Sequence, residues 1–354
     1  MNSKDMNGEN YIEEDLEKIF NSLAFLIEKL KGKKIFITGG RGFFGSWFLE
    51  FLRYANIKRN LDIKATILTR NIAEFKRSKP HLIKYHNFKL HSGDIKNFKF
   101  LDESYDYFIH LGGQSYGKNV LSLFDVITQG TRHALDYAVQ CNVKNFLFLS
   151  SGGIYGRNIA IQRISENLDS IPLIDNIPIQ YVEYGLAKRI GEFFVYVYSN
   201  NYNIESKIAR CFTFIGPYIP LDSNFAAGNF IRDAMNGGPI IVKGDGTAVR
   251  SYMYMSDLII WLWTILFKGK NCEPYNVGSE AEITIKELAF RVADIYRKLT
   301  GKTVDVIIEK IPDQSKPLDR YVPSTKKATE ELGLKQTVFL DEAIERTLKF
   351  YLSL

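Results

Sequence analysis

The sequence predicts an α/β fold, a doubly wound parallel sheet followed by a smaller C-terminal α/β domain. Three observations predict it. Apolar runs of strand length alternate with segments of helical period five times between Lys33 and Ser151, the pattern of β-α-β units feeding one parallel sheet. The first run, Lys33 to Thr38, breaks into a turn punctuated by Gly39, Gly42 and Gly45 and restarts as a helix. The chain has 354 residues, 45% of them hydrophobic, enough for one large domain and a smaller one with a full core.

Residues 1–9 are polar, and from Tyr11 to Leu30 the apolar positions Ile12, Leu16, Ile19, Phe20, Leu23, Leu26, Ile27 and Leu30 recur at helical spacing. Nothing basic lines the polar face of this amphipathic helix, so it is expected to pack on the body of the same subunit. The first strand and its glycine turn come next. Gly39 permits a tight turn, Gly42 lets backbone approach a pyrophosphate, and Gly45 lets the helix pack against the strand. The helix N-terminus adds N–H groups and the positive end of a dipole. The spacing is Gly-x-x-Gly-x-x-Gly rather than the Gly-x-Gly-x-x-Gly of ordinary dehydrogenases; a plain glycine turn before a helix is the alternative reading.

The second strand, Lys64 to Asn71, ends where nicotinamide-binding folds inspect the adenosine ribose, and an acidic residue there selects NAD. Here the post holds Thr69 and then Arg70. A guanidinium pairs bidentately with a 2′-phosphate, which favours NADP over NAD. A short third strand, Phe88 to Leu90, leads to Gly93, Asp94 and Ile95. The Asp94 carboxylate either accepts from the adenine amino group or serves as a turn residue. Tyr107 to Gly113 reads as a buried strand ending in Leu111, Gly112 and Gly113, whose glycines leave room for a flat ring against backbone. His110 within it is read as a satisfied structural histidine. A helix from Ser122 to Asn142 and a strand from Asn145 to Ser151 follow.

Ser150-Ser151-Gly152-Gly153-Ile154-Tyr155-Gly156 closes that strand, and about thirty residues on Tyr184 and Lys188 stand in a helical stretch reaching Tyr198. Four residues apart, they share one helix face. A lysine ammonium beside a phenol, together with the positive ring of an oxidised nicotinamide, favours phenolate and draws the tyrosine pKa from about 10 towards neutrality. A phenolate takes the proton of a sugar hydroxyl while hydride leaves for the nicotinamide, or returns it in the reductive direction. Ser151 is placed to hydrogen-bond the same oxygen.

The formal charge of +6 comes from 46 basic residues scattered among 40 acidic ones. That distribution argues against nucleic acid and suits small anionic molecules. Cys141, Cys211 and Cys272 are far apart and accompany only five histidines, so neither a disulfide framework nor a metal site is expected, and the compartment is read as reducing. No run of eighteen apolar residues exists and the N-terminus is acidic and polar, so no membrane association is expected and the location is read as cytoplasmic.

From Lys33 to Leu354 the chain resembles the extended short-chain dehydrogenase/reductase family, the NAD-dependent epimerase/dehydratase group acting on sugar nucleotides. The marks are Thr-Gly-Gly-x-Gly-Phe-x-Gly at 38–45, Gly-Asp at 93–94, His-Leu-Gly-Gly at 110–113, Ser-Ser-x-x-x-Tyr-Gly at 150–156 and Tyr-x-x-x-Lys at 184–188. Further on come Ala-Arg-x-Phe at 209–212, Gly-Pro at 216–217, Arg-Ser-Tyr at 250–252 with Asp257, and Tyr-Asn-Val-Gly at 275–278. The resemblance implies a Rossmann-type cofactor domain over 33–210 behind a helical extension at 1–32. Residues 211–354 then form mainly the nucleotide-sugar domain, with parts returning to the first.

It also implies roles. Ser151, Tyr184 and Lys188 are the catalytic trio. Gly39, Gly42, Phe43, Phe44, Gly45, Arg70, Asp94, Ile95, Leu111, Gly112, Gly113 and Lys188 line the cofactor. Ser151, Gly152, Asn229, Arg250 and Arg320 face the nucleotide sugar, with Phe230 and the Gly244-Asp245-Gly246 turn beside them, and Lys316-Pro317-x-Asp319-Arg320 resembles the segment that closes over the substrate phosphates. Where members commonly carry Asn after Arg-x-Phe this chain has Thr213, which offers fewer donors. The 4,6-dehydratases resemble Thr-Asp-Glu-x-Tyr-Gly at the strand end, and the related decarboxylases keep the glutamate; here both posts are glycine, Gly152 and Gly153. Elimination then lacks its proton carriers. The expectation is a nucleotide-sugar 4-epimerase, working as a homodimer through helices near 122–141 and 181–199. The alternatives are an NADPH-dependent 4-ketosugar reductase, a 4,6-dehydratase or decarboxylase with catalysts from elsewhere, and a non-catalytic cofactor-binding regulator.

Overall fold

Hydrophobic periodicity becomes a layered α/β body in the computed structural model, which describes residues 3–112, 119–156, 162–168, 179–223, 225–313, 315 and 318–354, with backbone alone at 3–11 and 179–181. Helix α1 (Ser3–Ser22), a short α2 (Ala24–Ile27) and a 3-10 turn lead into β1 (Lys34–Thr38). Then come α3 (Phe43–Arg59), β2 (Lys64–Thr69), α4 (Ile72–Ser78), α5 (Pro80–Ile83), β3 (Phe88–Ser92) and β4 (Tyr107–His110). Helix α6 (Val120–Gln140), β5 (Asn145–Ser151), α7 (Ile179–Tyr202) and β6 (Glu205–Cys211) complete the first half.

The second half mixes smaller pieces: β7 (Phe214–Ile215), α8 (Ala226–Met235), β8 (Ile240–Val242), β9 (Val249–Ser251), β10 (Met253–Tyr254), α9 (Met255–Lys268) and β11 (Pro274–Val277). It ends with β12 (Glu282–Thr284), α10 (Ile285–Thr300), β13 (Val306–Ile308), β14 (Arg320–Tyr321), α11 (Lys326–Leu332) and α12 (Leu340–Leu352).

Seven strands form one parallel sheet in the order β11-β6-β5-β4-β1-β2-β3. The order reverses between β1 and β4, and a crevice opens outside the carboxyl ends of strands at such a point. Both faces of the sheet are covered, so its strands read as continuous apolar runs. In β1, Ile35 and Ile37 enter the core shared with Trp47, Phe48 and Phe51 of α3, while Phe36 enters an opposite cluster with Phe98, Phe108 and Tyr137. The smaller sheets are β12-β9-β14, β10-β7 and β13-β8.

The structure differs from the periodicity in two places. The N-terminal helix starts earlier than Tyr11 and ends at Ser22, because Leu23 leaves helical geometry at φ −101°, ψ 6°. The anchoring positions Ile12, Leu16, Ile19, Phe20, Leu23, Ile27 and Leu30 are nonetheless all buried. Between them Asp15, fully buried, accepts from Tyr254 at 2.6 Å and from Arg346 at 2.5 Å, bonding α1 to the second half of the chain. The other difference lies between β3 and β4, where there is no helix. The backbone turns at Asp94, whose carbonyl accepts from Asn97 and Phe98, and Phe98 anchors the segment in the aromatic cluster. Among the described residues no helix is long and apolar enough to cross a membrane.

Candidate active site

The glycine turn after β1 is built by backbone crowding. Gly39 has φ +73°, a conformation open chiefly to glycine, and a Cβ there would lie 3.0–3.1 Å from the Leu111 and Gly112 backbone. A Cβ on Gly45 would sit 2.3 Å from the Gly39 carbonyl oxygen and 2.4 Å from Gly40 Cα. Gly42 is the N-cap of α3 and provides no side chain to cap it, so first-turn N–H groups remain available. Phe43 and Phe44 open that helix. Across the crevice, Gly112 N–H donates to Thr38 Oγ1 at 3.1 Å, tying the ends of β1 and β4 together. Gly113 lies outside the described residues.

His110 is buried between Thr38 Oγ1 at 2.7 Å and Thr131 Oγ1 at 3.2 Å, and burial pushes its pKa down to about 3. It is neutral and satisfied. At the β2 end Thr69 is buried and Arg70 exposed. Arg41 of the glycine turn pairs with Glu74, in the first turn of α4 just beyond Arg70. In the sequence Arg41 carries no period and falls at an unspecified position of the glycine motif, so only the fold shows this pairing. Asp94 is partly buried, and its carboxylate accepts from Lys96 N–H at 3.0 Å. Ile95 lies against Gly130 of α6.

The structure brings Ser151, Tyr184 and Lys188 together. Ser151 closes β5, and its Oγ accepts from Gly153 N–H at 3.0 Å, capping the 3-10 turn Gly152–Tyr155. A Cβ on Gly153 would lie 3.3 Å from Ser151 Oγ and 3.4 Å from Tyr184 Cδ1, so serine and tyrosine flank that glycine. Lys188, one turn along α7, is buried; its Nζ donates to the Leu149 carbonyl at 2.7 Å and stands 6.0 Å from the Tyr184 ring centroid. Burial pushes the lysine down to about 8, with Cys211 and Glu192 acting the other way. Beside Tyr184, the carboxylate of Glu183 is buried without a hydrogen-bond partner among the described residues, and burial raises its pKa.

Gly152 occupies a filled corner. A Cβ there would meet Tyr321 Oη at 2.6 Å and Phe212 Cζ at 2.7 Å, and the two rings pack with centroids 4.6 Å apart. Tyr321 arrives on β14, which pairs with β9 so that Tyr321 stands opposite Arg250. Both candidate phosphate cations are already paired: Arg250 with the Asp319 carboxylate at 2.9 Å and Arg320 with Glu282. Asn229 Nδ2 donates to the Ser223 carbonyl at 2.9 Å. Asp245 accepts from Thr247 within its own turn. The Thr213 hydroxyl donates to the Ser251 carbonyl, so it is engaged in joining strands. Asp257 likewise accepts from Thr337 and Val338 N–H, fixing the approach to α12. Lys316 and Pro317 lie outside the described residues. Among the described residues no group of three His, Cys, Asp or Glu is arranged to hold a metal.

A family model described as the NAD dependent epimerase/dehydratase family matches residues 35–278. The chain belongs to that family. Among curated proteins, UDP-glucuronic acid decarboxylase 1 of Danio rerio is 26% identical over 333 residues, covering 93% of this chain and 75% of that protein. An epimerase from Methanothermobacter thermautotrophicus superposes with a TM-score of 0.76 at 25% identity, covering 94% of this chain and 96% of that one. The UDP-glucuronic acid 4-epimerase from Bacillus cereus, solved with NAD, shares the fold with a TM-score of 0.71 at 24% identity, covering 90% and 96%.

The cradle of this family member fits a nicotinamide dinucleotide. Its glycine turn leaves no volume at Gly39 or Gly45 for a side chain, and α3, 17 residues long, aims an uncapped N-terminus at the crevice. Backbone N–H groups so aimed bind pyrophosphate oxygens. The doubly wound parallel sheet expected from the sequence is present, as is the extended short-chain dehydrogenase/reductase architecture.

Proposed function

We propose that this enzyme acts at C4 of the hexose in a nucleotide-diphosphate sugar, as a 4-epimerase, with residues 33–210 chiefly holding the cofactor and 211–354 chiefly the nucleotide sugar. The supporting observation is the corner at Gly152: no carboxylate stands at 152 or 153, and the space beside Gly152 is taken by Phe212 and Tyr321. Removing water across C5 and C6 needs a positioned acid and base, and the posts that carry them in the dehydratases are glycine here. What remains is C4 chemistry. Ser151 Oγ is assigned to donate to the C4 oxygen, Tyr184 to take the proton from that hydroxyl and return it, and Lys188 to favour the phenolate and bond the nicotinamide ribose. Bound nicotinamide supplies acceptance and return of the C4 hydride. Gly39, Gly42, Phe43, Phe44, Gly45, Asp94, Ile95, Leu111, Gly112 and Gly113 are assigned to holding it. Arg250 and Arg320 are assigned to the diphosphate, sharing or exchanging their carboxylate partners for it.

One observation favours a second reading, an NADPH-dependent 4-ketosugar reductase. The β2 end holds Thr69 and Arg70 rather than an acidic residue, and Arg41, paired with Glu74, adds a second guanidinium near the same place; this supports NADP as the preferred nicotinamide. The test is to denature the purified protein, identify released nicotinamide by mass spectrometry, and incubate the enzyme with UDP-glucose, UDP-glucuronic acid and other nucleotide hexoses. Retained cofactor and a C4 epimer formed without net cofactor consumption are expected. Stoichiometric oxidation of added NADPH with a 4-keto sugar supports the reductase. Carbon dioxide release or a 4-keto-6-deoxy product overturns both. We also propose a homodimer through α6 and α7, where Phe193 and Tyr196 are exposed; light scattering at the monomer mass would refute it.

A further inference from the structure

Glu192 follows Lys188 by one turn on α7. Its carboxylate accepts from Arg210 Nε at 3.0 Å and Nη2 at 2.8 Å, and both side chains are more than nine-tenths buried. Arg210, at the end of β6, also donates from Nη1 to the Tyr155 hydroxyl at 2.7 Å and to the Glu166 carbonyl at 3.3 Å. Tyr155 donates onward to Asn276 Oδ1 at 2.8 Å, and Asn276 N–H meets the Glu166 carboxylate at 2.7 Å. Tyr155 ends the turn that starts immediately after Ser151. The pair therefore joins the helix carrying Tyr184 and Lys188 to the turn carrying Ser151.

It also sets the local charge. Around Lys188, β4 presents His110, held neutral by burial, and β6 presents Cys211, whose thiol burial pushes up to about 12. Helix α7 contributes Tyr184 and Glu192, and α6 packs on α7 here through the apolar Leu123 and Ile127. Arg189, half-exposed, is a second cation on Glu192 at 3.5 Å. Among the described neighbours, Glu192 is thus the formal negative charge nearest the lysine along its helix, and Arg210 pairs with it.

We propose that Arg210 and Glu192 are positioning residues of the catalytic site, holding Ser151 in register with Lys188 and balancing each other's charge so that the Tyr184–Lys188 pair keeps its working protonation. The proposal rests on the reading of Tyr184 and Lys188 as the proton-transferring pair. Arg210→Met leaves Glu192 with only the half-exposed Arg189 against it, so both protons of that pair are held more tightly; Glu192→Gln leaves Arg210 with only Glu166 nearby, with the opposite effect.

Carbon NMR of protein labelled at lysine Cε, with Lys188 assigned through Lys188→Met, reads the titration without substrate. The Lys188 midpoint should rise in Arg210→Met and fall in Glu192→Gln by on the order of one pH unit, and return in the double variant. Both limbs of the turnover pH profile should move with it. If Arg210→Met does not fold, the downward shift in Glu192→Gln carries the test. An unmoved midpoint, or shifts of one sign in both variants, overturns the proposal. A wild-type enzyme inert towards every nucleotide hexose would instead refute the functional reading, while the NMR result would still judge the charge balance.

Discussion

Replacing Gly45 with alanine tests the cofactor cradle at its least yielding point. The new Cβ would fall 2.3 Å from the Gly39 carbonyl oxygen, 2.4 Å from Gly40 Cα and 2.6 Å from Gly40 C, where ordinary contact begins near 3.4 Å. Every one of these atoms is backbone, so no rotamer relieves the overlap. The start of α3 must retreat from the turn by about 1 Å, and overpacking of this kind costs about 1–3 kcal/mol. Helix propensity returns at most about 1 kcal/mol of that. A net loss near 1–2 kcal/mol lowers the melting temperature of a 354-residue chain by about 1–3 °C. The same retreat pulls first-turn N–H groups off the pyrophosphate, and a lost hydrogen bond to a charged group is worth about 1.5–3 kcal/mol, or roughly ten- to a hundredfold in Kd. Gly42→Ala separates the two effects. Gly42 has φ −70° and ψ 179°, open to any residue, and its Cβ would approach the Gly39 oxygen only to 3.3 Å. Its melting temperature should stay near wild type while cofactor affinity falls, because its Cβ intrudes where the pyrophosphate approaches. Thermal melts and nicotinamide fluorescence titrations measure both quantities. Wild-type melting and wild-type cofactor affinity in Gly45→Ala would refute the reasoning.

Four further outcomes are expected. Gly152→Ala should lose about 1–3 kcal/mol in urea unfolding through overlap with Tyr321 and Phe212, while Gly153→Ala, with nearest contacts of 3.3–3.4 Å, loses less; equal losses would contradict the filled corner. Tyr184→Phe should bind cofactor as wild type yet lose about a hundred- to ten-thousandfold in turnover, and a small loss would remove Tyr184 as the proton carrier. Arg70→Ala should weaken NADPH about tenfold and leave NADH unchanged; parallel loss for both would remove Arg70 from cofactor selection. Asp15 has its carboxyl pushed up from 3.8 to about 6, chiefly by burial, so the folded protein binds that proton more tightly than the unfolded chain. Its contribution is fully present below pH 4 and is lost as pH rises through about 6, by about 3 kcal/mol. The stability of wild type relative to Asp15→Asn should fall across that window, and a flat difference between pH 4 and 7 would dispose of the claim.

Local pattern carried much of this protein. The strand-turn-helix at 33–49 was legible because glycine spacing and apolar period are properties of neighbouring residues, and Tyr184 with Lys188 because helical spacing alone sets one above the other. Tertiary structure decided what those residues meet. Tyr155, Arg210, Phe212 and Asn276 all lie in motifs visible in the sequence, yet their work is to bond or pack on one another across β5, β6 and β11, and no period records a contact between strands. That Gly152 has a closed corner depends on a ring delivered by β14, far along the chain. That Arg250 and Arg320 carry carboxylate partners depends on the pairing of β9 with its neighbours. Sequence by itself determined the sheet, the glycine turn and the shared helix face of Tyr184 and Lys188, since backbone geometry and side-chain period act locally. Only the tertiary structure decided the space and charge around them, since burial and pairing are set by residues that meet only when the chain has folded.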